Sequence, residues 1–309
     1  MPKLKEIYFP SSTGVNTIYA RMWMPDGEVK GTLQIVHGIA EHCKRYDDFA
    51  NFMANNGFVV VTDDHLGHGN SIGDPSNRGF FAEENGWAYV VADEKSLFNQ
   101  MKHLYPDVKH VILGHSMGSF MTRTYILKYP NDFDAVIISG TGNQAKLMVD
   151  MGHFMAQSTV NSKGPRYVSE SLANIMFMGY NKGFDAKNGE TAWLSRDKSV
   201  VAKYDADPTC GWTATCSLYR DMMDGIQFIS DKKNIKLINK NTPMYLMSGA
   251  EDPVGEKGKG VKKAYKAYVD AGVKDISIVL YPGGRHEMLN EINKEQVYRD
   301  VLSWINSKI

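Results

Sequence analysis

The 309-residue chain carries no net charge, because 35 lysine and arginine side chains balance 35 aspartates and glutamates. Attraction to nucleic acid through a global field needs a sustained positive charge, so no nucleic-acid partner is expected. Long apolar runs are also missing. The longest, Trp87 to Ala92, has six residues, whereas a membrane-spanning helix needs roughly 20. Polar Ser11 to Thr13 interrupt the N-terminus before a signal-peptide core could develop, and a cytoplasmic protein is expected.

Cysteine is scarce. The three cysteines, Cys43, Cys210 and Cys216, are an odd number and include no CxxC pair, so they do not form a disulfide framework. We interpret them as small, reduced packing residues.

Strand-like and helix-like segments alternate along much of the chain, which predicts an α/β protein with a mostly parallel central sheet flanked by helices. Six short apolar runs are typical of strands buried on both faces: Gly31–Val36, Phe58–Thr62, His110–Leu113, Ala135–Ser139, Met244–Ser248 and Ile276–Tyr281. Helical periodicity is clearest from Gly86 to Tyr105. Two further helices are expected to end at Gly57 and Gly272, which suit helix C-termini.

The alternation stops between residues 143 and 217. These 75 residues contain no strand-like run, yet they hold five methionines and eight aromatic residues. A structureless loop of this length is improbable in a compact domain. We therefore expect a helical cap (lid) at 143–217, inserted into a catalytic core formed by 1–142 and 218–309.

A G-x-S-x-G pattern occurs at Gly114 to Gly118, centred on Ser116. Three matching residues are weak support by themselves, but a predicted strand precedes them and a helical stretch beginning at Met117 follows. That is the strand, sharp turn and helix of a nucleophile elbow. Ser116 is therefore the predicted nucleophile.

A serine nucleophile needs a base, and the base needs a third group to orient it. In this arrangement the chain order is serine, acid, histidine. His286 is the only histidine after His153, and it directly follows the last predicted strand. Glu251 and Asp252 follow the preceding strand, and Asp252 is preferred because Pro253 would hold its backbone extended. The predicted triad is Ser116, Asp252 and His286.

Two backbone N–H groups must stabilise the oxyanion. One is expected from Met117, after the nucleophile, and the other from Ile39, in the glycine-containing loop after an early strand. His37 and His42 in the same loop are interpreted as buried, hydrogen-bonded residues rather than metal ligands.

No cofactor or metal is predicted. The glycine-rich stretch Asp64 to Ser71 lacks the third glycine of a dinucleotide fingerprint, because position 72 is Ile72. Gly258 and Lys259 likewise lack the upstream glycine of a Walker loop.

Six motifs together resemble the monoglyceride lipase and lysophospholipase group of the α/β-hydrolase fold. They are HGIAEHCKRY at 37–46, DHLGHGNS at 64–71, GHSMG at 114–118, LSRDKSVVAKYDADP at 194–208, SGAEDPV at 248–254 and PGGRHEMLNE at 282–291. The resemblance implies the same triad and the same two oxyanion donors. Two departures are visible: Ala40 and Ser119 each replace a glycine usual in the family.

The resemblance implies a serine hydrolase acting on carboxylic esters such as monoacylglycerols, lysophospholipids or medium-chain acyl esters. The apolar cap would bind the acyl chain, and it could also touch a membrane surface transiently. One alternative is an aminopeptidase similar to proline iminopeptidases, which would need an acidic group to hold a substrate amine. The cap offers seven: Asp150, Glu170, Asp185, Glu190, Asp197, Asp205 and Asp207. A non-catalytic ligand-binding member of the fold is a second alternative. The oligomeric state is not predicted.

Overall fold

A computed structural model describes residues 2–185, 189 and 191–309. Its described part contains one eight-stranded sheet. The strands are β1 (Lys3–Pro10), β2 (Thr17–Met24), β3 (Gly31–Val36), β4 (Phe58–Asp64), β5 (Lys109–His115), β6 (Ala135–Ser139), β7 (Met244–Gly249) and β8 (Ile276–Tyr281). Their spatial order is β1-β2-β4-β3-β5-β6-β7-β8. β2 pairs antiparallel with β1 and with β4, and the remaining neighbours are parallel. The predicted mostly parallel sheet is confirmed.

The described α-helices are α1 (Asp47–Asn55), α2 (Gly86–Leu104), α3 (Met117–Lys128), α4 (Lys146–Lys163), α5 (Glu170–Met176), α6 (Lys198–Ala206), α7 (Cys216–Ser230), α8 (Lys232–Ile235), α9 (Lys259–Ala271) and α10 (Lys294–Asn306). Gly57 and Gly272, expected just beyond two helix ends, have φ angles of 96° and 94°. Only glycine adopts such angles without steric cost, which explains why the helices end there.

Two apolar layers cover the faces of the sheet. Neighbouring residues on one strand enter opposite layers, as Val60 and Val61 do, because successive side chains of a strand point to opposite faces. One layer contains residues of α1 and α10, and the other contains residues of α2, α3, α7 and α9. Burial on both faces accounts for the continuous apolar runs of the central strands.

The edges of the sheet differ from the sequence expectations. β1 and β2 were not predicted, because β1 is largely exposed and carries Lys3, Lys5 and Glu6 in place of an apolar run. β8 was expected to be buried on both faces, and this was wrong: most of its residues are half-buried and Val279 is exposed. β8 is an edge strand, so fewer elements pack against it.

Three helices, α4, α5 and α6, lie in the segment that was predicted to be a helical cap. An isolated antiparallel bridge joins Val168 to Thr215 and closes part of this segment on itself. α7 begins at Cys216 and packs against α4 as well as against α2 and α3 of the core. The exact limits of a cap at 143 and 217 stay a prediction. No helix in the described residues is long and apolar enough to cross a membrane.

Candidate active site

Ser116 occupies a strained turn between β5 and α3. Its φ and ψ angles are 54° and −123°, a region that residues with a side chain rarely adopt. The two neighbouring glycines make this turn sterically feasible. A Cβ atom on Gly114 would overlap the Thr122 side chain, and one on Gly118 would overlap the Val36 carbonyl. The local geometry is that of the predicted nucleophile elbow.

His286 and Asp252 lie together at the carboxyl end of the sheet. The His286 Nδ1 atom is 3.0 Å from Asp252 Oδ1 and 3.1 Å from Oδ2. Because a carboxylate only accepts, Nδ1 carries the proton and donates it. Asp252 also accepts hydrogen bonds from the Ser248 hydroxyl and the Val254 N–H, each at 2.9 Å. The carboxylate is therefore held in one orientation toward the imidazole. Glu251, the less favoured acid, instead pairs with Lys257 at the surface.

Burial and charge act in opposite directions on this pair. Both side chains are almost completely buried. Burial disfavours the charged form of His286, but the charge and hydrogen bond of Asp252, with the charges of Glu287 and Glu41, together outweigh it, and the pKa of His286 is raised. Burial likewise works against ionisation of Asp252, yet His286 and the bonds from Ser248 and Val254 lower the pKa of this carboxyl. The acid stays ionised and strengthens the basicity of the histidine.

The imidazole of His286 lies near the elbow, against the residue that precedes Ser116. Within the described part of the chain, Nε2 is buried and has no hydrogen-bond partner. The imidazole of His286 lies against the ring of His115, and the two ring centroids are 4.6 Å apart. Gly140 also lies close to it, since a Cβ atom added there would be 3.0 Å from the His286 Cε1 atom. Ser116 follows His115, and its N–H bonds the Ser139 carbonyl next to Gly140. The structure thus brings the predicted base, acid and nucleophile to one end of the sheet.

The loop after β3 lies directly against Ser116. A Cβ atom on Gly38 would be 3.0 Å from the Ser116 Cβ and 3.5 Å from its Oγ, so only glycine permits this approach. Ile39 is the next residue, which places its backbone close to the nucleophile. On the other side of Ser116, Met117 is the first residue of α3, and its N–H has no acceptor within that helix. Of the two predicted oxyanion donors, Met117 thus follows Ser116 in the chain, and Ile39 follows a glycine that lies against it.

Ala40, one of the two departures from the family pattern, has a φ of 53°. This left-handed conformation costs a residue with a Cβ about 1–2 kcal/mol and explains why glycine is usual there. Ser119, the other departure, donates its hydroxyl to the Ser116 carbonyl at 2.6 Å. It adds a bond at the start of α3 without disturbing the glycine at position 118.

The histidines of the two glycine-containing loops have structural contacts. His37 stacks on His65 with centroids 3.7 Å apart, donates from Nδ1 to the Gly38 carbonyl, and accepts the His65 N–H at Nε2. Burial, followed by the nearby His65, lowers the pKa of His37 well below its usual value. A neutral His37 fits both hydrogen bonds and fixes Gly38.

Among the described residues, two groups of side chains have ligand types that metals accept. His42, Asp207 and Cys210 form one, and Asp63, His65 and Glu94 form the other. In the first, His42 Nε2 is 3.0 Å from Asp207. In the second, His65 Nδ1 is hydrogen-bonded to Asp63 at 3.2 Å and lies 3.2 Å from Glu94.

The segment before α6 covers the base. The centroid of the Trp193 ring lies 5.0 Å from that of the His286 ring. The backbone carbonyl of Trp193 also accepts a hydrogen bond from the backbone N–H of His286. Tyr180 continues this contact, 5.1 Å from Trp193, and Phe177 lies 5.6 Å from Tyr180. The result is a file of three aromatic rings that leads from the helical segment to the predicted base.

A buried ionic network was missed by the sequence analysis. Glu41 and Arg45 lie in the motif at 37–46, and Glu287 lies in the motif at 282–291, next to His286. Arg45 donates hydrogen bonds of 2.6–2.7 Å to both glutamates. Charged residues are rarely buried unless they are paired. Opposite charges within motifs that lie next to the predicted site are therefore a sequence signal for such a pairing.

Comparisons with known proteins identify the family and the fold. The sequence profile of Hydrolase_4, described as serine aminopeptidase S33, matches residues 27–293. A monoacylglycerol lipase of Mycolicibacterium smegmatis is 27% identical over 304 residues, covering 97% of this chain and 96% of that protein. The crystal structure of a thermostable carboxyl esterase from Bacillus coagulans, in complex with glycerol, superposes with a TM-score of 0.92 and 25% identity, covering 99% of this chain and 98% of that one.

A monoglyceride lipase of Saccharomyces cerevisiae, solved with a substrate analogue, has the same fold with a TM-score of 0.78 at 20% identity, covering 99% and 96% of the two chains. The predicted α/β-hydrolase fold is confirmed. Because the profile spans most of the sequence, from before β3 to the end of the histidine loop, the chain belongs to the Hydrolase_4 (serine aminopeptidase S33) family of α/β-hydrolases.

Proposed function

We propose that this protein is a carboxylic ester hydrolase that cleaves monoacylglycerols or related esters with a single acyl chain, through Ser116, His286 and Asp252. The observation that carries the proposal is the buried His286–Asp252 pair. Among the described residues its Nε2 atom has no hydrogen-bond partner, and it lies at the same end of the sheet as a serine held at a φ of 54°. The names of the relatives support the ester class: a monoacylglycerol lipase and a carboxyl esterase.

The proposed reaction forms an acyl-enzyme and then hydrolyses it. His286 Nε2 accepts the proton of Ser116, and the serine oxygen attacks the ester carbonyl. The N–H groups of Ile39 and Met117 stabilise the negative oxygen of the tetrahedral intermediate. His286 then donates the proton to the leaving alcohol, which leaves an acyl group on Ser116. A water molecule, deprotonated by His286, releases the fatty acid and restores the serine.

The substrate proposal rests on the aromatic file Phe177–Tyr180–Trp193. Its rings lead to His286 at spacings of 5.0 to 5.6 Å and form an apolar surface suited to an acyl chain. Of the five cap methionines, Met155 and Met176 pack against the core. The other three, Met148, Met151 and Met178, are exposed, so they do not line a buried site in this conformation.

Contact with a membrane surface is part of the proposal. Leu147, Met148, Met151 and Phe154 are 71%, 67%, 55% and 72% exposed and share one face of α4, since they follow helical spacing. An exposed apolar helix face of this kind can enter the headgroup region of a bilayer. It would bring the enzyme to lipid substrates. A cytoplasmic location stays a prediction from the sequence.

The family description favours a second candidate, an aminopeptidase. Such an enzyme needs a carboxylate that can bind a substrate amine. Among the cap acids, Glu170 bonds Thr213, Asp197 bonds Ser199 and Asp205 bonds Thr191. Asp150 and Asp207 have partners as well, and Glu190 lies outside the described residues. These contacts engage five of the seven cap acids with neighbouring residues, which favours the esterase.

Hydrolysis of 4-nitrophenyl esters from acetate to palmitate, beside aminoacyl naphthylamides, tests the proposal. We expect turnover of the esters with a maximum at medium or long chains, and no turnover of the amides. A fluorophosphonate probe should label the wild type and Ser307→Ala, an exposed control serine, but not Ser116→Ala. Labelling of Ser116→Ala, or amide turnover exceeding ester turnover, would reject it.

A further inference from the structure

Arg45 lies beneath the site, in a 3-10 turn at Cys43–Tyr46. Its side chain is only 11% exposed. The guanidinium donates two parallel hydrogen bonds to Glu287, each 2.6 Å, and a third to Glu41 at 2.7 Å. A paired, fork-shaped contact of this kind fixes both distance and orientation.

Each of the two carboxylates belongs to a loop that carries a proposed functional group. Glu41 accepts the Gly38 N–H at 2.6 Å through its other oxygen, and Gly38 directly precedes Ile39. Glu287 follows His286 in the chain and accepts a hydrogen bond from Asn290 of the same loop. One guanidinium therefore connects the oxyanion loop to the loop of the base.

Tyr204, from α6, closes this network. Its ring covers Arg45, with the guanidinium carbon 4.7 Å from the ring centroid, a favourable cation–π distance. Its hydroxyl donates to the Ala40 carbonyl at 3.0 Å. The segment above the site thus excludes solvent from the ions and holds the oxyanion loop from the opposite side.

We infer that Arg45 is a positioning residue for ester hydrolysis: by bridging Glu41 and Glu287, it fixes the separation between the Ile39 N–H and His286. The inference deepens the proposed function and rests on it. An oxyanion donor contributes only when it lies at hydrogen-bond distance from the developing charge. A displacement of about 1 Å can lower a rate about 100-fold, so a rigid link between these loops has a direct effect on turnover.

The network also sets the charge around the base. The charged or titratable groups that face His286 are Asp252 from the acid loop, Glu287 from its own loop, Glu41 from the oxyanion loop and His115 from β5. Glu41 and Glu287 both favour the protonated imidazole, and Arg45 offsets part of their charge. Neutralising Glu287 should therefore shift the titration of His286 to lower pH.

The test uses purified full-length chain and 4-nitrophenyl butyrate. We expect Arg45→Met to lower kcat about 100-fold while KM changes less than about threefold, since the variant alters alignment rather than ester binding. Arg45→Lys keeps the positive charge but cannot form the paired hydrogen bonds to Glu287, and its kcat should fall about tenfold. The matched control is Arg220→Lys, because Arg220 is also a buried arginine with a carboxylate partner, Asp221. Both residues lie on α7, and this substitution should leave kcat within about threefold of the wild-type value.

A pH profile separates positioning from a general loss of structure. In Glu287→Gln, the acid limb of the kcat/KM profile should move to lower pH. An enzyme that is only destabilised would instead show a lower kcat/KM at every pH, with the acid limb at the wild-type position. If Arg45→Met does not fold, Arg45→Lys and Glu287→Gln decide the question.

Retention of kcat within threefold in both Arg45 variants, losses equal to that of Arg220→Lys, or an unmoved acid limb in Glu287→Gln would each overturn the inference. Failure of the proposed function has a different result, because the wild type itself would then neither hydrolyse the ester nor react with a fluorophosphonate through Ser116.

Discussion

The hydroxyl of Tyr204 donates a hydrogen bond of 3.0 Å to the carbonyl oxygen of Ala40. The Gly211 N–H donates to the same oxygen at 2.9 Å, and His42, two residues later, pairs with Asp207. All three partners come from α6 or the loop after it. The helical segment therefore holds the oxyanion loop at the residue where its backbone is most strained.

Removal of the Tyr204 hydroxyl should loosen this contact. Tyr204→Phe keeps the ring over Arg45 and loses one hydrogen bond, which should lower the free energy of unfolding by about 1 kcal/mol. We expect kcat to fall severalfold, because the Ala40 peptide is less restrained. Urea unfolding and ester kinetics measure the two effects. Tyr298→Phe is the control, since its hydroxyl also bonds a backbone carbonyl, that of Leu289; equal kinetic losses in both variants would contradict the specific role of Tyr204.

The left-handed backbone at Ala40 sets which side chains position 40 accepts. Ala40→Gly should keep kcat within about threefold, because glycine adopts a φ of 53° freely. Ala40→Val should lower kcat at least about tenfold, since β-branched residues are strongly disfavoured at positive φ. Ester kinetics, with circular dichroism to monitor folding, test this pair. A valine variant as active as the glycine variant would show that the conformation of this loop does not limit the reaction.

The acid and histidine loops meet at Gly249. A Cβ atom there would overlap the carbonyls of Gly284 and Arg285, so Gly249→Ala must displace the loop that carries His286. We expect kcat to fall about 100-fold or more. Gly27→Ala is the matched control, because a Cβ atom at Gly27 meets nothing within 4 Å. Full activity of Gly249→Ala would mean that the loop moves without affecting the base.

The proposed base gives the reaction a defined pH dependence. Activity needs neutral His286, and burial is outweighed by Asp252 so that the pKa of His286 is raised. The acid limb of kcat/KM should therefore lie above the usual histidine value of about 6.5. Stability has the opposite sign: the raised pKa stabilises the fold below about pH 6.5, and this contribution is lost as pH rises through the folded-state pKa.

Asp252→Asn removes the cause of that raised pKa. Its acid limb should move to lower pH, and kcat should fall about 10⁴-fold because the amide no longer holds the reactive tautomer. The profiles of both proteins, measured with a soluble ester, test the assignment. An unchanged limb in Asp252→Asn would exclude this aspartate as the partner of the base.

The exposed face of α4 should bind lipid. Leu147→Ser, Met151→Ser and Phe154→Ser together should reduce co-sedimentation with phosphatidylcholine vesicles several-fold and leave hydrolysis of a soluble ester within about threefold. Val269→Ser, on the exposed surface of α9, is the control for loss of an apolar side chain elsewhere. Equal vesicle binding by all proteins would remove membrane contact from the proposal.

Much of the core could be predicted because burial on both faces imposes an apolar run on each central strand. β3, β6 and β8 match their predicted limits, and β4 and β5 extend a few residues beyond them, since the polar residues at their ends give no apolar signal. The candidate triad has a related sequence signal, because each of its residues comes shortly after the end of a strand. Gly114, Gly118 and Gly249 lie where a Cβ atom would overlap neighbouring atoms, so these glycines in the sequence indicate close contacts in the fold.

The remaining features depend on contacts between distant segments. Glu41 and Glu287 are 246 positions apart in the chain, and Arg45 joins them only after the sheet has formed. The aromatic file from Phe177 to Trp193 could not be separated from ordinary packing residues, since composition does not show which rings meet. The ring of Tyr204 over Arg45 likewise has no local signal.

The polar character of β1 has a consequence for solution behaviour. An edge strand presents unpaired backbone groups to any other chain, and long apolar edges promote aggregation. Lys3, Lys5 and Glu6 are exposed along β1, and Pro10 ends it. These are the residues that concealed the strand from a hydrophobicity pattern, and they also discourage one sheet from extending into the sheet of a neighbouring molecule.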